Sequence, residues 1–479
     1  MSTAKKAIAG TFFVGVSSYI NIGLNLFFSI VLARLLLPEH YGVLAMATVY
    51  ATFLGLAREW GIASAILYKK DEVEKTAQTL FWLQMALAAV SVLLVFLSYP
   101  LVVRAYNPTL WWALLILTLG GVVQAVGLIP KTLLEKEISF KGLSVVEVAA
   151  IGFSGVIAIW MAKNGFGLWS LAAQRFLEVA FRTVGAWGLR PWIPAWGWDK
   201  QVVKWFFKTF GWPIWLSGIA SLLLFQFDKF IVGNLIGTES LGFYAKAFSL
   251  ASLPTGMVTG IVSRVTFPVY AQYQDQKEKL TRAFSLVTSG MWRLALPISL
   301  GLVLSARELV EIMIGARWLP MVPIFQLLLI YSMVRVLLDD TGPFLSGGLG
   351  KPVLITKALF LQAIILVVIS PLFVWRWGAS GEAAAVSVVA VVGIVYIYRH
   401  IAHRLSINFF QIFMAPAVSS LVGVALALGL SSLAPPSLWG QLLSKSLTFA
   451  GGYLLFLWTL ERKWLREEFE FFKGLYLKS

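Results

Sequence analysis

The 479-residue chain contains no cysteine and only three histidines, and just 13% of its residues are charged. Without cysteine there are no disulfides, thiolate metal sites or cysteine nucleophiles. Soluble domains are roughly 25% charged, so this scarcity of charge excludes an ordinary water-facing surface. Also missing are a Walker-type phosphate loop, an HExxH pair and a GxSxG elbow. The histidines, His40, His400 and His403, fall at expected loops. His400 and His403 are three residues apart, but without a neighbouring carboxylate or cysteine they read as a solvated pair and not a metal site.

What the chain has instead is length of apolar sequence. Hydrophobic residues make up 59% and the mean hydropathy is +0.81. The apolar runs are continuous, not alternating, and reach the roughly 20 residues that a helix needs to cross a bilayer. The expected class is an all-α integral membrane protein of about 14 transmembrane helices. Spans are placed at 10–33, 41–66, 78–98, 109–130, 142–162, 168–189, 208–236, 240–269, 283–305, 320–345, 353–374, 379–398, 412–433 and 438–460. Lys5 and Lys6 precede a run that continues as a span without a cleavage pattern, so the first helix is expected to be retained.

The formal net charge is +16. On a soluble protein this would point to nucleic acid; here it sorts by loop. One set of loops and termini carries 24 Lys and Arg and the opposite set carries six, Arg34, Arg104, Lys163, Arg307, Arg317 and Arg376. The positive-inside bias then puts both termini in the cytoplasm, with no role for nucleic acid.

A repeat organises the chain. Arg34-Leu-Leu-Leu-Pro-Glu-His-Tyr-Gly42 returns as Asn234-Leu-Ile-Gly-Thr-Glu-Ser-Leu-Gly242, with Leu35, Glu39, Gly42, Ala45 and Ala47 matched 200 positions later. Each copy reads as the outer turn of a helical hairpin, and both hairpins run in the same direction. The expected divisions are an N-lobe at 1–190, an amphipathic linker on the cytoplasmic surface at 191–207, a C-lobe at 208–405, two further helices within 406–460, and an amphipathic cytoplasmic tail at 461–479. In the linker Trp192, Trp196 and Trp198 suit an interfacial belt, and Lys200, Lys204 and Lys208 share a helical face.

Polar residues fall in stripes on the repeated hairpins: Ser18, Asn21, Asn25 and Ser29; Thr48, Thr52, Gly55 and Glu59; Ser217, Ser221 and Asp228; Lys246, Ser249, Ser252, Gly256, Thr259 and Ser263. Close helix packing and a water-filled cavity both account for a single stripe; four on symmetry-matched helices favour the cavity. Charges within spans cost several kcal/mol and so face a cavity or a partner. Arg58, Lys246, Arg293 and Arg335, with Asn21 and Asn25, are the expected substrate-binding group, because guanidinium and ammonium groups suit phosphate or pyrophosphate oxygens. Glu59, Asp228 and Asp339 are the expected ion-coupling carboxylates. Structural ion pairing is the competing reading for Arg58 with Glu59 and for Asp228 with Lys229, each partnered from another helix. Arg175 and Glu178 read as a structural pair, and Arg182 and Arg264 as snorkelling to the inner interface.

Several ordered segments carry a family resemblance: Ala33–Gly42, Pro130–Leu143, Gly165–Leu171, Asp228–Gly237, Leu241–Ala247, Phe267-Pro268 and Gly315–Trp318. Over roughly residues 10 to 405 the chain resembles a Wzx-type polysaccharide flippase. That group is the polysaccharide transporter branch of the multidrug/oligosaccharidyl-lipid/polysaccharide exporter superfamily. The resemblance implies two six-helix parallel-repeat lobes around a central cavity, with two C-terminal helices added. It implies a transporter, not an enzyme. The substrate would be an undecaprenyl-pyrophosphate-linked oligosaccharide, flipped from the cytoplasmic to the periplasmic leaflet by alternating access for O-antigen, capsule or exopolysaccharide synthesis. Expected with it are the bacterial inner membrane, no cofactor beyond H⁺ or Na⁺ coupling, and membrane lipids and the polysaccharide polymerase machinery as partners. The alternatives are a drug/cation antiporter or a peptidoglycan lipid-precursor flippase of the same superfamily. A drug antiporter would favour a carboxylate-rich aromatic pocket, whereas these candidates lean basic. A membrane polymerase or ligase would need a large outer loop, and the longest here, about 306 to 319, is too short for a catalytic domain.

Overall fold

Apolar continuity becomes helix throughout. The computed structural model describes the backbone of residues 3–58, 60–433 and 435–476, and the side chains of 13–58, 60–259, 266–432 and 435–462. Every regular element among the described residues is helical. The chain divides at Gly242 into two compact units.

The first unit holds α1 (Thr3–Leu35), α2 (Pro38–Gly55), α3 (Ile62–Tyr68), α4 (Val73–Ala105), α5 (Pro108–Lys136), α6 (Phe140–Lys163), α7 (Leu168–Leu189), α8 (Lys200–Phe206) and α9 (Trp212–Leu235). It also holds the first turn of α10 (Thr238–Gln272). Here α5 packs on α2, α4 and α7, while α6 packs between α1 and α7 and α2 also meets α9. The helix of residues 208–236 thus shares a unit with the six before it. Local chemistry sets the starts. Pro38 and Pro108 stand in first turns, where no amide hydrogen is needed, and the Asn107 side chain accepts from the Leu110 amide at 3.0 Å.

The two copies of the repeat meet. Each hairpin has a two-residue junction, Leu36-Leu37 in one and Ile236-Gly237 in the other. A Cβ on Gly42 would overlap the Thr238 carbonyl, and a Cβ on Gly242 would overlap the Pro38 carbonyl. Pro38 and Thr238 are themselves 200 positions apart, so the contact is reciprocal. The matched glycines are therefore a condition of backbone-to-backbone approach. Beside them the Tyr50 and Tyr106 hydroxyls both reach Asn234 Oδ1, Tyr50 at 3.1 Å.

The expected linker helix is short. Only Lys200–Phe206 is α-helical before a π-turn, Phe207–Gly211, leads into α9. Its apolar face is covered by protein, not by lipid: Val202, Phe206 and Trp192 join Phe81 and Leu80 of α4 in one buried cluster. Trp192 Nε1 donates to Glu74 at 2.6 Å, and Lys75 pairs with Asp199 at 2.7 Å.

The second unit continues α10 and adds α11 (Lys277–Leu304), α12 (Ala306–Ile314), α13 (Val322–Pro343), α14 (Val353–Ala402), α15 (Phe409–Leu430) and α16 (Leu438–Tyr476). Here α13 packs on α11 and α14, and α15 on α11 and α16. Residues 353–402 hold two helices, not one, because Gly378 breaks the run at φ 61°, a conformation that side-chain-bearing residues rarely adopt. The two spans expected at 353–374 and 379–398 are these halves. Residues 306–319, expected as the longest outer loop, are α12 followed by a 3₁₀ turn, Ala316–Met321. His400 lies in the last turn of α14, not in a loop, with Nδ1 2.8 Å from the Tyr396 carbonyl.

Among the described residues nine helical segments are long and apolar enough to cross a membrane. Their exposed faces carry large apolar side chains such as Leu101, Trp375 and Leu447, as lipid-facing surfaces require. This is a multi-pass membrane protein. The tail's side chains beyond Arg462, with the Ser263 and Arg264 side chains, lie outside the described residues.

Candidate functional site

The polar stripes of the first unit sit on α1, α2 and α9. Their hydroxyls are tied to their own helices one turn back: Ser18 donates to Val14, Thr48 to Leu44, Thr52 to Thr48, Ser217 to Pro213 and Ser221 to Ser217, all within 2.6–2.9 Å. This back-bonding satisfies the donor while leaving acceptor lone pairs exposed. Asn25 is exposed and donates to the Asn21 carbonyl at 2.9 Å, whereas Asn21 Oδ1 is buried without a hydrogen bond. Thr48, Ser217 and Ser221 are exposed as well.

Arg58 stands in the turn after α2, half-buried, and its guanidinium occupies the space that a Cβ on Gly121 of α5 would take. The backbone around it is fixed by Trp60, which stacks on Trp215 of α9 at 5.3 Å, while Trp215 Nε1 donates to the Leu56 carbonyl at 3.0 Å. Glu59 lies outside the described residues. Asp228 is 2% exposed, and the ammonium of the adjacent Lys229 turns back to it at 3.4 Å while donating to the Phe225 carbonyl at 2.9 Å. The expectation that this pair separates to different helices does not describe that contact, because a lysine stem is long enough to fold along its own helix.

In the second unit, Lys246 is 2% exposed on α10, with its ammonium 6.0 Å from the centre of the Trp318 ring. Two of the expected cations are engaged by carboxylates. Arg293 Nε meets Glu461 at 2.7 Å, both side chains being 7% exposed, and Arg335 meets Asp339 at 2.8 Å one turn on. The structure thus brings an expected substrate residue, Arg335, against an expected coupling residue, Asp339.

A cavity of about 330 Å³ opens within the first unit between α1, α5, α6 and α7. Lys131, Glu135, Glu147 and Arg182 line it. Arg182 pairs with Glu178 at 2.7 Å and approaches Glu147 at 3.5 Å, so it bridges carboxylates instead of snorkelling, and Glu178 takes Arg182 rather than Arg175. The i,i+4 spacing of Glu178 and Arg182, acid first, is the better one on a helix.

Sequence reasoning missed several buried polar pairs. Lys445 of α16 meets Glu308 of α12 at 2.7 Å, Ser370 donates to Glu382 at 2.9 Å, and Tyr270 donates to Asp340 at 2.9 Å. The Asn234 site was within reach, since Asn234 opens the second copy of the repeat. No group of three histidines and carboxylates able to hold a metal exists among the described residues.

A family model described as polysaccharide biosynthesis protein matches residues 31–323, well over half of the chain. The chain belongs to that family. Similar curated proteins include the succinoglycan biosynthesis transport protein ExoT of Rhizobium meliloti, 28% identical over 66% of this chain and 64% of that protein. The lipopolysaccharide biosynthesis protein WzxC of Escherichia coli is 27% identical over 72% of this chain and 71% of its own length. The teichuronic acid biosynthesis protein TuaB of Bacillus subtilis is 26% identical over 61% of each. The matches to ExoT and TuaB therefore span less than two thirds of those proteins. In fold, the chain superposes on the lipid II flippase MurJ in an inward closed conformation with a TM-score of 0.79, covering 95% of this chain and 100% of that one at 13% identity. An inward-facing multidrug resistance MATE family transporter of the MOP superfamily gives 0.60 at 15% identity, over 79% of this chain and 94% of that one. The fold is thus shared with named transporters, and the similar proteins include a named transport protein.

Proposed function

We propose that the chain flips an undecaprenyl-pyrophosphate-linked oligosaccharide from the cytoplasmic to the periplasmic leaflet of a bacterial inner membrane. The observation that carries this reading is membership of the polysaccharide biosynthesis family over 31–323, in a chain whose similar proteins include a named succinoglycan transport protein. The superposition on MurJ supports it with a matching fold.

In this reading the sugar head travels along the exposed hydroxyl stripes while the polyprenyl tail stays in lipid. Back-bonded serines and threonines offer acceptors and small volume, which suit a variable glycan better than fixed charges do. Arg58 of the first unit binds the pyrophosphate by the planar donor fork of guanidinium, and Lys246 is the candidate cation of the second unit. Arg293 and Arg335, engaged by Glu461 and Asp339, would position helices unless substrate displaces those carboxylates. A proton or sodium gradient drives the cycle through Glu59, Asp228 or Asp339. Both termini lie in the cytoplasm, and the flipped product passes to polymerase machinery.

The test is reconstitution. In proteoliposomes with an imposed proton or sodium gradient, wild type should move the labelled lipid-linked oligosaccharide between leaflets. Arg58→Ala should slow it by about tenfold or more, the loss expected for one charge-assisted contact. If no glycan head moves under either gradient, the flippase reading fails and drug/cation antiport takes its place.

A further inference from the structure

The cavity lined by Lys131 and Arg182 has no part in the translocation reading, yet its position and its lining are both specific. α5 ends at Lys136, α6 begins at Phe140 and α7 ends at Leu189. At 1.5 Å per residue, the lining residues Lys131, Phe140 and Ala186 stand within about 8 Å of those ends. Both α5 and α6 are long and apolar enough to span. Their ends therefore fall in the headgroup layer, which adds about 5–8 Å on each side of the hydrocarbon core. Part of the wall is apolar, with Leu128, Leu143 and Val179 in it, and part is charged.

The charges in that wall are loosely paired. Lys131 and Glu135 stand 3.6 Å apart and Arg182 and Glu147 3.5 Å apart, both longer than the roughly 2.7–2.9 Å of a charge-assisted hydrogen bond. The close partner of Arg182 is Glu178, at 2.7 Å from Nη2. Arg182 Nε is buried and has no hydrogen bond among the described residues. An acceptor is thus missing at Arg182 and a close donor at Glu147, although buried polar groups are normally paired. A ligand that supplies both needs an oxyanion for the two cations and an N–H cation for the carboxylates. An anion alone would meet three carboxylates, Glu135, Glu147 and Glu178, against two cations. A cation alone would leave Arg182 Nε unpaired. A quaternary ammonium has no N–H to give a carboxylate, and of the aromatic faces that receive such groups the lining offers Phe140 alone. The volume of about 330 Å³ suits a small polar group, at the lower end of the roughly 300–1,000 Å³ of ligand pockets.

We propose that this cavity binds the headgroup of one phosphatidylethanolamine molecule, its phosphate on Lys131 and Arg182 and its primary ammonium on Glu135 and Glu147. The site goes beyond the translocation reading and does not depend on it.

Native mass spectrometry of the full chain tests it, with the protein delipidated in detergent and then given phosphatidylethanolamine, phosphatidylcholine or phosphatidylglycerol of identical acyl chains. Wild type should hold one phosphatidylethanolamine about tenfold more tightly than either of the others, the difference that one charge-assisted contact makes. Glu135→Gln combined with Glu147→Gln should bring phosphatidylethanolamine down to the level of phosphatidylcholine. Lys131→Gln should weaken those two lipids alike, since both carry the phosphate. Equal wild-type affinity for all three lipids would overturn the proposal. A preference for phosphatidylglycerol would do so too, by making the cavity an anion site. So would a preference for phosphatidylethanolamine that survives the double variant, or displacement of the lipid by inorganic phosphate at equal concentration. If the double variant does not fold, Glu147→Gln alone decides, and an unchanged preference in it overturns the site. Because no lipid-linked sugar enters the assay, its failure leaves the flippase reading standing, and failure of flipping leaves the headgroup site standing.

Discussion

Arg58 owes its position to a residue that lacks a side chain. A methyl group on Gly121 would occupy the guanidinium's space, and the guanidinium, at the end of a flexible stem, is what can move. Gly121→Ala is therefore expected to displace Arg58 while leaving the fold intact. Translocation should fall towards the Arg58→Ala level, with the unfolding midpoint in detergent unchanged; full activity in Gly121→Ala would remove Arg58 from the transport path. At the linker the decisive residue is Asp199. The Lys75 ammonium at 2.7 Å, helped by the Gln201 amide, holds its carboxyl below the usual carboxylate range. A depressed folded value means that the docking contribution is present above the unfolded pKa and is lost as pH falls through the lower folded one. Hydrogen exchange in residues 200–211, corrected for the intrinsic pH effect, should rise below about pH 4 in wild type. In Asp199→Ala it should be raised at neutral pH too. Equal protection in both proteins would mean that Trp192 and Phe206 hold the linker without the ion pair.

Helices in lipid gain little from apolar burial against one another, so their register rests on packing and on a few polar ties. For α16 the described residues give four such ties: Lys445 to Glu308, the Ser446 hydroxyl to that of Ser305 at 3.4 Å, the Tyr453 hydroxyl to the Arg293 carbonyl at 2.8 Å, and Glu461 to the Arg293 guanidinium. Together they pin the last helix to α11 and α12. Glu461→Ala leaves a buried guanidinium uncompensated and should cost about 3–5 kcal/mol, read from chemical unfolding in detergent. Arg293→Met combined with Glu461→Met should recover most of that loss, because replacing both partners removes the orphaned charge. If instead the double variant is as unstable as the single one, the pair contributes more than mutual compensation. None of this partnering was legible in the sequence, since Arg293 and Glu461 stand 168 residues apart and their meeting depends on packing between helices outside the repeat. The choice between Asp339 and Asp340 was equally hidden. One residue's rotation about α13 gives the first a guanidinium and the second an aromatic core.

Across the whole chain, what could be read in advance was whatever repeats or runs long: the helical spans, the break near 378, and the hairpin turns marked by Leu35 and Leu235, Gly42 and Gly242. These follow from local chemistry, as apolar length, proline at helix starts and glycine at close approaches act within a few residues. Orientation is a further whole-chain property, and the absence of cysteine makes it directly measurable, since a single introduced cysteine is the sole thiol. The excess of lysine and arginine in alternate loops predicts that Asp71→Cys and Asp275→Cys react with a membrane-impermeant maleimide only from the cytoplasmic side. Asn164→Cys and Arg376→Cys should react only from the other. All four positions are exposed, so failure to label cannot be blamed on burial. The pairs alternate along the chain, separated by spans whose number must be odd between opposite faces and even between like ones. Labelling of Asp71 and Asn164 from the same face would remove a span from the first unit and reverse the direction of every helix after it. The two copies of the repeat would then run antiparallel, and the reciprocal meeting of Gly42 and Gly242 would lose its explanation as a contact between parallel hairpins.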